Sequence, residues 1–134
     1  MVEQTERSKE LEGLFVDESE QAVDGLLRTT LEPFVGFTRE GRVVTKPAFL
    51  ELSHANRLLV MLLARQAAVR LSLPGATMEA TAENLQQECM VPVKSCREYL
   101  SKMKAKRLLE KNAQGYLVPQ WALPTVAGLL VRRS

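Results

Sequence analysis

The sequence predicts a mainly helical α+β protein with short β-hairpins. Three amphipathic or apolar helices are predicted over residues 17–31, 55–71 and 93–107. Two β-prone runs interrupted by glycine-containing turns, around residues 35–45 and 108–118, predict hairpins. With 134 residues, 46% of them apolar and 25% charged, the composition is that of a globular protein with one core.

Local signals fix most of the helix ends. Val23, Leu27 and Leu31 recur at helical spacing in the first helix, and Pro33 ends it because the residue before proline avoids the helical region. Ser53 and Thr81 are the predicted N-caps of two further helices, at about 55–71 and 82–89. A turn at residues 90–92 leads to the helix over 93–107, and a last short helix is expected at 125–131.

Composition excludes several classes of protein. The longest apolar run, residues 58–64, is far shorter than the roughly 20 residues of a membrane span, and residues 1–20 show no secretory signal. Two cysteines and one histidine favour a reducing, cytoplasmic location and no metal site or other cofactor. No phosphate-binding glycine loop, nucleophile elbow or metalloprotease motif is present, so no enzymatic activity is expected.

The charge is divided unevenly along the chain. Residues 1–32 carry nine acids and three bases, so residues 33–134 have a net charge of +8. Seven cations fall between residues 94 and 111, where only Glu98 and Glu110 oppose them. This distribution indicates a basic binding surface joined to an acidic arm, residues 1–16, which is predicted to be disordered.

The order helix, helix, four-residue turn, basic helix and hairpin resembles a winged helix-turn-helix domain. The resemblance covers Ser53 to Pro119, 67 residues, and is carried by the stretch TAENLQQECMVPVKSCREYLSKMKAKRLLEKNAQGYLV. Residues 17–52 are then an N-terminal extension, and residues 120–134 a C-terminal helix on the domain or at a dimer interface. Met90 stands in the turn, where the family usually has glycine or another small residue. Arg107 stands before the hairpin, where the family often has glycine.

The spacing of apolar residues orients the basic helix independently of the family. Cys96, Leu100 and Met103 are one turn apart and are expected to face inward, which leaves the cationic side to the solvent. A helix held in this way fits the major groove of DNA, with its first half towards the bases and its flanks towards the phosphates.

These roles assign nine residues to a DNA interface. The predicted base-facing residues are Lys94, Ser95, Arg97, Glu98 and Ser101. The predicted phosphate contacts are Lys102, Lys104, Lys106 and, on the wing, Lys111. Arg97 is expected to bind guanine, and Glu98 to accept from cytosine or to orient Arg97.

The function predicted is therefore transcriptional regulation by binding double-stranded DNA, in a prokaryote or mobile element. The apolar helix 55–71 and the flanking helices offer more apolar surface than a 67-residue module needs, which predicts a homodimer on a pseudo-palindromic site. The main alternative is a winged-helix adaptor that binds protein instead of DNA. A third is a switch controlled by an unidentified small effector or by Cys89 and Cys96, although inward thiols are usually inert. Tyr99 and Trp121 are expected in the core or at an interface, in preference to a role in stacking on bases.

Overall fold

A computed structural model describes residues 19–131, which are mainly helical and carry two small antiparallel sheets. The predicted α+β class is confirmed at this level. The helices are α1 (Glu20–Leu31), α2 (Pro47–Leu50), α3 (His54–Arg70), α4 (Ala82–Cys89), α5 (Val93–Ala105), a 3-10 helix (Gln120–Ala122) and α6 (Leu123–Val131). The strands are β1 (Val35–Phe37), β2 (Val43–Thr45), β3 (Glu110–Asn112) and β4 (Gly115–Leu117).

The first hairpin follows directly on α1. Ser19 caps α1 by accepting a hydrogen bond from the Ala22 backbone N–H, and the helix ends at the residues before Pro33 as predicted. β1 and β2 pair antiparallel, with Val35 opposite Thr45. The acidic arm, residues 1–16, and the first two residues of the predicted helix lie outside the described residues.

Helix α3 lies at the centre of the molecule. The Ser53 side chain caps it as predicted, by accepting from the Asn56 N–H. Every side chain of its apolar run, residues 58–64, is buried, and α1, α4, α5 and α6 all pack against it. The apolar run of the helix is therefore covered by this chain's own flanking helices, whereas Val69, Leu129 and Val131 at the ends of α3 and α6 stay exposed. The oligomeric state stays a prediction.

The helix pair α4 and α5 follows from local sequence. Thr81 and Asn84 form a reciprocal capping box at the start of α4. Pro92 precedes the first residue of α5, where its missing N–H costs no helical hydrogen bond. The helix ends at Ala105, two residues earlier than predicted, because Arg107 adopts a left-handed backbone conformation with φ 63°.

Two of the tight connections use non-glycine residues in the left-handed region. Met90 ends α4 with φ 57° and ψ 46°, and Arg107 follows α5 in the same region. A side chain costs about 1–2 kcal/mol in this conformation. Both positions where the resembling family usually has glycine thus have a left-handed backbone, and Ser72, after α3, is a third non-glycine residue with a positive φ.

Replacing Met90 with glycine is expected to stabilise the protein by about 0.5–1 kcal/mol. Glycine relieves the left-handed strain but adds some backbone entropy to the unfolded chain. Met90 is 55% exposed, so its side chain contributes little packing. Urea denaturation should show a higher midpoint with an unchanged m-value. Met90→Ala is the matched control: it keeps the β-carbon and should leave the midpoint nearly unchanged, and an equal gain in both variants would contradict the strain argument.

The second hairpin is tied to the helices at three points. Its turn consists of Ala113 and Gln114 alone, and Asn112 pairs with Gly115, so both strands extend into residues 111–115, which the sequence pattern predicts as the turn. Ala80, just before α4, forms an antiparallel bridge with Tyr116, with N···O distances of 2.9 and 2.8 Å. The buried Gln66 side chain of α3 donates to the Val118 carbonyl at 2.8 Å. These bonds fix the hairpin against the helical core.

The chain returns to the core after the hairpin. The 3-10 helix leads into α6, which begins two residues before the predicted start and includes Pro124 in its first turn. Buried residues from Val23 to Leu130 form one continuous core. Within residues 19–131 no helix combines the length and apolar character needed to cross a bilayer.

Candidate nucleic-acid interface

The inward face of α5 is the one predicted from sequence. Cys96 and Leu100 are fully buried and Met103 nearly so, and the helix packs against α3 and α4 through this side. The predicted orientation is confirmed. Because the backbone spacing of a helix is fixed, the opposite side of α5 must face the solvent.

Two arginines of α3 hold α4, and through it α5, in place. Arg65 forms a two-point ion pair with Glu88, at 2.5 and 3.4 Å, and also donates to the Glu79 carbonyl. Arg57 donates to the Cys89 carbonyl at 3.5 Å and to the Leu50 carbonyl at 2.6 Å. A cation at the C-terminal carbonyls of α4 is favourable for the helix dipole. The turn into α5 therefore starts from a fixed point.

The outward face of α5 and the adjoining hairpin place most of the predicted site residues in the solvent. Ser95 is half-buried, and the others are exposed: Lys94, Arg97, Glu98, Ser101, Lys102, Lys104, Lys106 and Lys111. Ion pairs between residues 19–131 use Arg65, Arg70 and Arg97, and none of them uses the five lysines of this set. Their positive charges are thus not neutralised by a carboxylate of the described chain.

Two of these lysines lie beside aromatic rings. The Lys102 ammonium lies 6.0 Å from the centroid of the ring of Tyr99, a residue one turn earlier on α5. The Lys111 ammonium lies 5.3 Å from the centroid of Tyr116, its partner across the hairpin. Such contacts orient a cation without cancelling its charge. Tyr99 is half-buried and also meets His54 edge-on, consistent with a position at the margin of the core.

Arg97 is oriented by a carboxylate that the sequence did not point to. Its guanidinium Nη2 lies 2.6 Å from Oε1 of Glu83 in the first turn of α4, and this hydrogen bond holds the pKa of Glu83 below its ordinary value. Glu98, the neighbour expected to orient Arg97, makes no ion pair within residues 19–131. Both side chains of the observed pair are largely exposed, so Arg97 can exchange this partner for another acceptor.

A basic groove at the base of the hairpin was missed by the sequence reasoning. Trp121, expected in the core or at an interface, is 58% exposed, so the core prediction is wrong. The ring lies in an open groove of about 520 Å³. The residues lining the groove are Lys104, Arg107, Leu109, Glu110, Lys111 and Trp121. The available signal was the position of Trp121 beside Gln120 in the short link between the hairpin and the last helix.

A second cavity, of about 460 Å³, lies between α1, β1 and α3. Its apolar lining includes Leu27 and Phe37, and its two arginines, Arg28 and Arg70, are matched by Asp24 and Glu32. Arg70 pairs with Asp24 at 2.5 Å. This cavity is balanced in charge and does not extend the basic surface.

The two thiols are inaccessible. Cys89 and Cys96 are fully buried, and their Sγ atoms each lie 3.5 Å from a backbone carbonyl. Burial raises the pKa of both thiols, which disfavours the reactive thiolate. This environment weighs against the thiol-controlled switch. Among residues 19–131, no cluster of three or more histidine, cysteine or acidic side chains has the arrangement of a metal site.

Comparison of the chain with protein-family models, with curated proteins and with solved structures finds no match. We therefore infer function from the geometry and charge of this chain alone.

Proposed function

We propose that the chain is a double-stranded DNA-binding protein of the winged helix-turn-helix class, acting in transcription regulation. In this proposal α5 enters the major groove and the hairpin β3–β4 contacts the DNA backbone. The observation that carries it is the division of α5 into a buried stripe and a solvent-exposed cationic face without carboxylate partners for its lysines.

The arrangement of α3, α4, α5 and the hairpin supports the proposed class. The left-handed residues Met90 and Arg107 occur where that class usually has glycine. The bridge between Ala80 and Tyr116 holds the hairpin against the helical core. A wing must be held in this way if it is to contact DNA at a fixed distance from α5. Lys111 is in this hairpin, next to the end of α5.

The roles proposed for individual side chains follow their positions. Arg97, in the first half of α5, is oriented by Glu83 and can offer two guanidinium nitrogens to guanine O6 and N7. Lys94, Glu98 and Ser101 share the exposed side of the helix with it. Lys102, Lys104, Lys106 and Lys111 supply phosphate contacts, which position the protein without reading sequence.

Removing two of the exposed lysines is expected to weaken DNA binding specifically. We expect Lys102→Gln/Lys104→Gln to lower affinity for a labelled mixed-sequence duplex, at about 50 mM salt, by between tenfold and a few hundredfold, because two phosphate contacts are lost. Fluorescence anisotropy measures this directly. The matched control is Arg39→Gln/Arg42→Gln, which removes two exposed cations from the first hairpin and should change affinity by less than about threefold.

Two outcomes would contradict the proposal. Equal losses in both double variants would mean that net charge, and not the α5 surface, governs binding. Absence of binding at low salt by folded wild-type protein would favour the alternative, a winged-helix adaptor that docks on another protein.

A homodimer on a pseudo-palindromic site remains part of the proposal, and sedimentation of the complex measures its stoichiometry.

A further inference from the structure

Trp121 is an unusual residue to find in the solvent. A tryptophan side chain can bury about 150–250 Å² of surface, and an exposed aromatic ring in a groove commonly marks a binding site. More than half of this side chain is exposed, while its neighbours Ala122 and Leu123 are buried. The backbone at Trp121 is therefore anchored in the core and the ring projects from a fixed base.

The orientation of the ring is also fixed. The indole Nε1 donates a hydrogen bond to Oε1 of Glu110 at 3.2 Å. This bond restrains the polar edge of the ring and occupies the acidic side chain that lines the groove. A ring restrained in this way loses little conformational entropy when a ligand stacks on it.

Cations line the groove beside the ring. Lys104, Arg107 and Lys111 are among its lining residues, against the single carboxylate of Glu110. The groove has a volume of about 520 Å³ and is open to the solvent. An aromatic face among several cations is the combination that binds single-stranded nucleic acid, in which phosphates meet the cations and unpaired bases stack on the ring.

We propose that the Trp121 groove binds an unpaired nucleotide of a polynucleotide. The base stacks on Trp121, and the flanking phosphates contact Lys104, Arg107 and Lys111. A paired base is covered on both faces by its neighbours, so only an unpaired or terminal base can stack in this way. An acidic peptide would use the cations but not the ring. The inference goes beyond duplex binding by α5. It shares Lys104 and Lys111 with the proposed duplex interface, and oligothymidylate tests it in the absence of any duplex.

The protein's single tryptophan makes the test direct, because all indole emission comes from this groove. We expect oligothymidylate to quench the emission. A duplex with a single-stranded overhang should bind more tightly than the blunt duplex of the same sequence. A nucleoside monophosphate should quench the emission only at much higher concentration, because it offers one phosphate to three cations. If the monophosphate saturates the groove at the same concentration as oligothymidylate, the groove binds a free nucleotide and the polynucleotide proposal is overturned.

Variants separate stacking from charge and from fold. Trp121→Ala should lower affinity for labelled oligothymidylate by about 5- to 100-fold, as loss of one stacked base implies, whereas Trp121→Phe should retain most of it. Circular dichroism of both variants checks that they fold. The matched control is Arg39→Ala on the first hairpin, an exposed cation outside both proposed binding surfaces, which should leave oligothymidylate binding unchanged. Affinity for the blunt duplex should be the same in Trp121→Ala and wild-type protein.

The proposal is overturned if Trp121→Ala binds oligothymidylate as wild-type protein does, if the overhang gives no advantage over the blunt duplex, or if polyglutamate quenches the emission as well as oligothymidylate. Failure of the proposed function would be distinct: blunt duplex would not bind at all, while oligothymidylate would still quench Trp121.

Discussion

Raising the salt concentration from about 50 to about 200 mM is expected to weaken binding to blunt duplex DNA by roughly three orders of magnitude. Seven cations of α5 and the adjoining hairpin are exposed: Lys94, Arg97, Lys102, Lys104, Lys106, Arg107 and Lys111. If six of them meet phosphates, the logarithm of affinity falls with the logarithm of salt at a slope of about −5, because each contact releases condensed counterions.

Titrations at several salt concentrations measure this slope. Lys104→Ala should make the slope shallower by about one and weaken binding to all sequences alike. Arg39→Ala, a control on the first hairpin, should leave the slope unchanged. A slope near zero for the wild-type protein would contradict the phosphate roles given to the lysines, even if some binding were observed.

Replacing Gly115 with alanine is expected to cost about 3 kcal/mol of unfolding free energy. Gly115 has φ +140°, a conformation that side chains rarely adopt. A β-carbon there would lie 2.6 Å from the Ala80 carbonyl oxygen, so the backbone of one segment must move. The movement breaks the two hydrogen bonds between Ala80 and Tyr116, in addition to the backbone strain of about 1–3 kcal/mol.

The matched control is Gly36→Ala, in strand β1 of the first hairpin. An added β-carbon at Gly36 meets no atom within 4 Å, and the residue has no left-handed backbone, so its unfolding free energy should change by less than about 1 kcal/mol. Urea denaturation of both variants measures the difference. Equal stability of the two variants would mean that the hairpin is not held against the Ala80 segment as described.

Local sequence was sufficient where the determining contacts lie within one or two turns. The caps at Ser53 and Thr81, the end of α1 before Pro33 and the inward stripe of α5 depend on side chains three or four residues apart. The end of α5 was predicted two residues too late, because only the tertiary environment shows that Arg107, a non-glycine residue, adopts a left-handed conformation there.

Contacts between distant segments could not be read from the chain. Glu83 and Arg97 are 14 residues apart and meet only because α4 and α5 pack across their turn. The apolar surface of α3, interpreted as a surplus for dimerisation, is covered by α1 and α6 from the two ends of the described chain.

The sequence by itself determined the five longer helices, the two hairpins and the segregation of apolar from cationic side chains on α5, since these follow from hydrophobic periodicity and local capping. It did not predict the short helix α2 or the 3-10 helix before α6. Only the tertiary structure decided which carboxylate Arg97 meets and that Trp121 stands exposed among Lys104, Arg107 and Lys111. The partner of Arg97 and the exposure of Trp121 depend on how separate elements pack. That packing consists of contacts between residues distant in sequence, which local sequence patterns do not reveal.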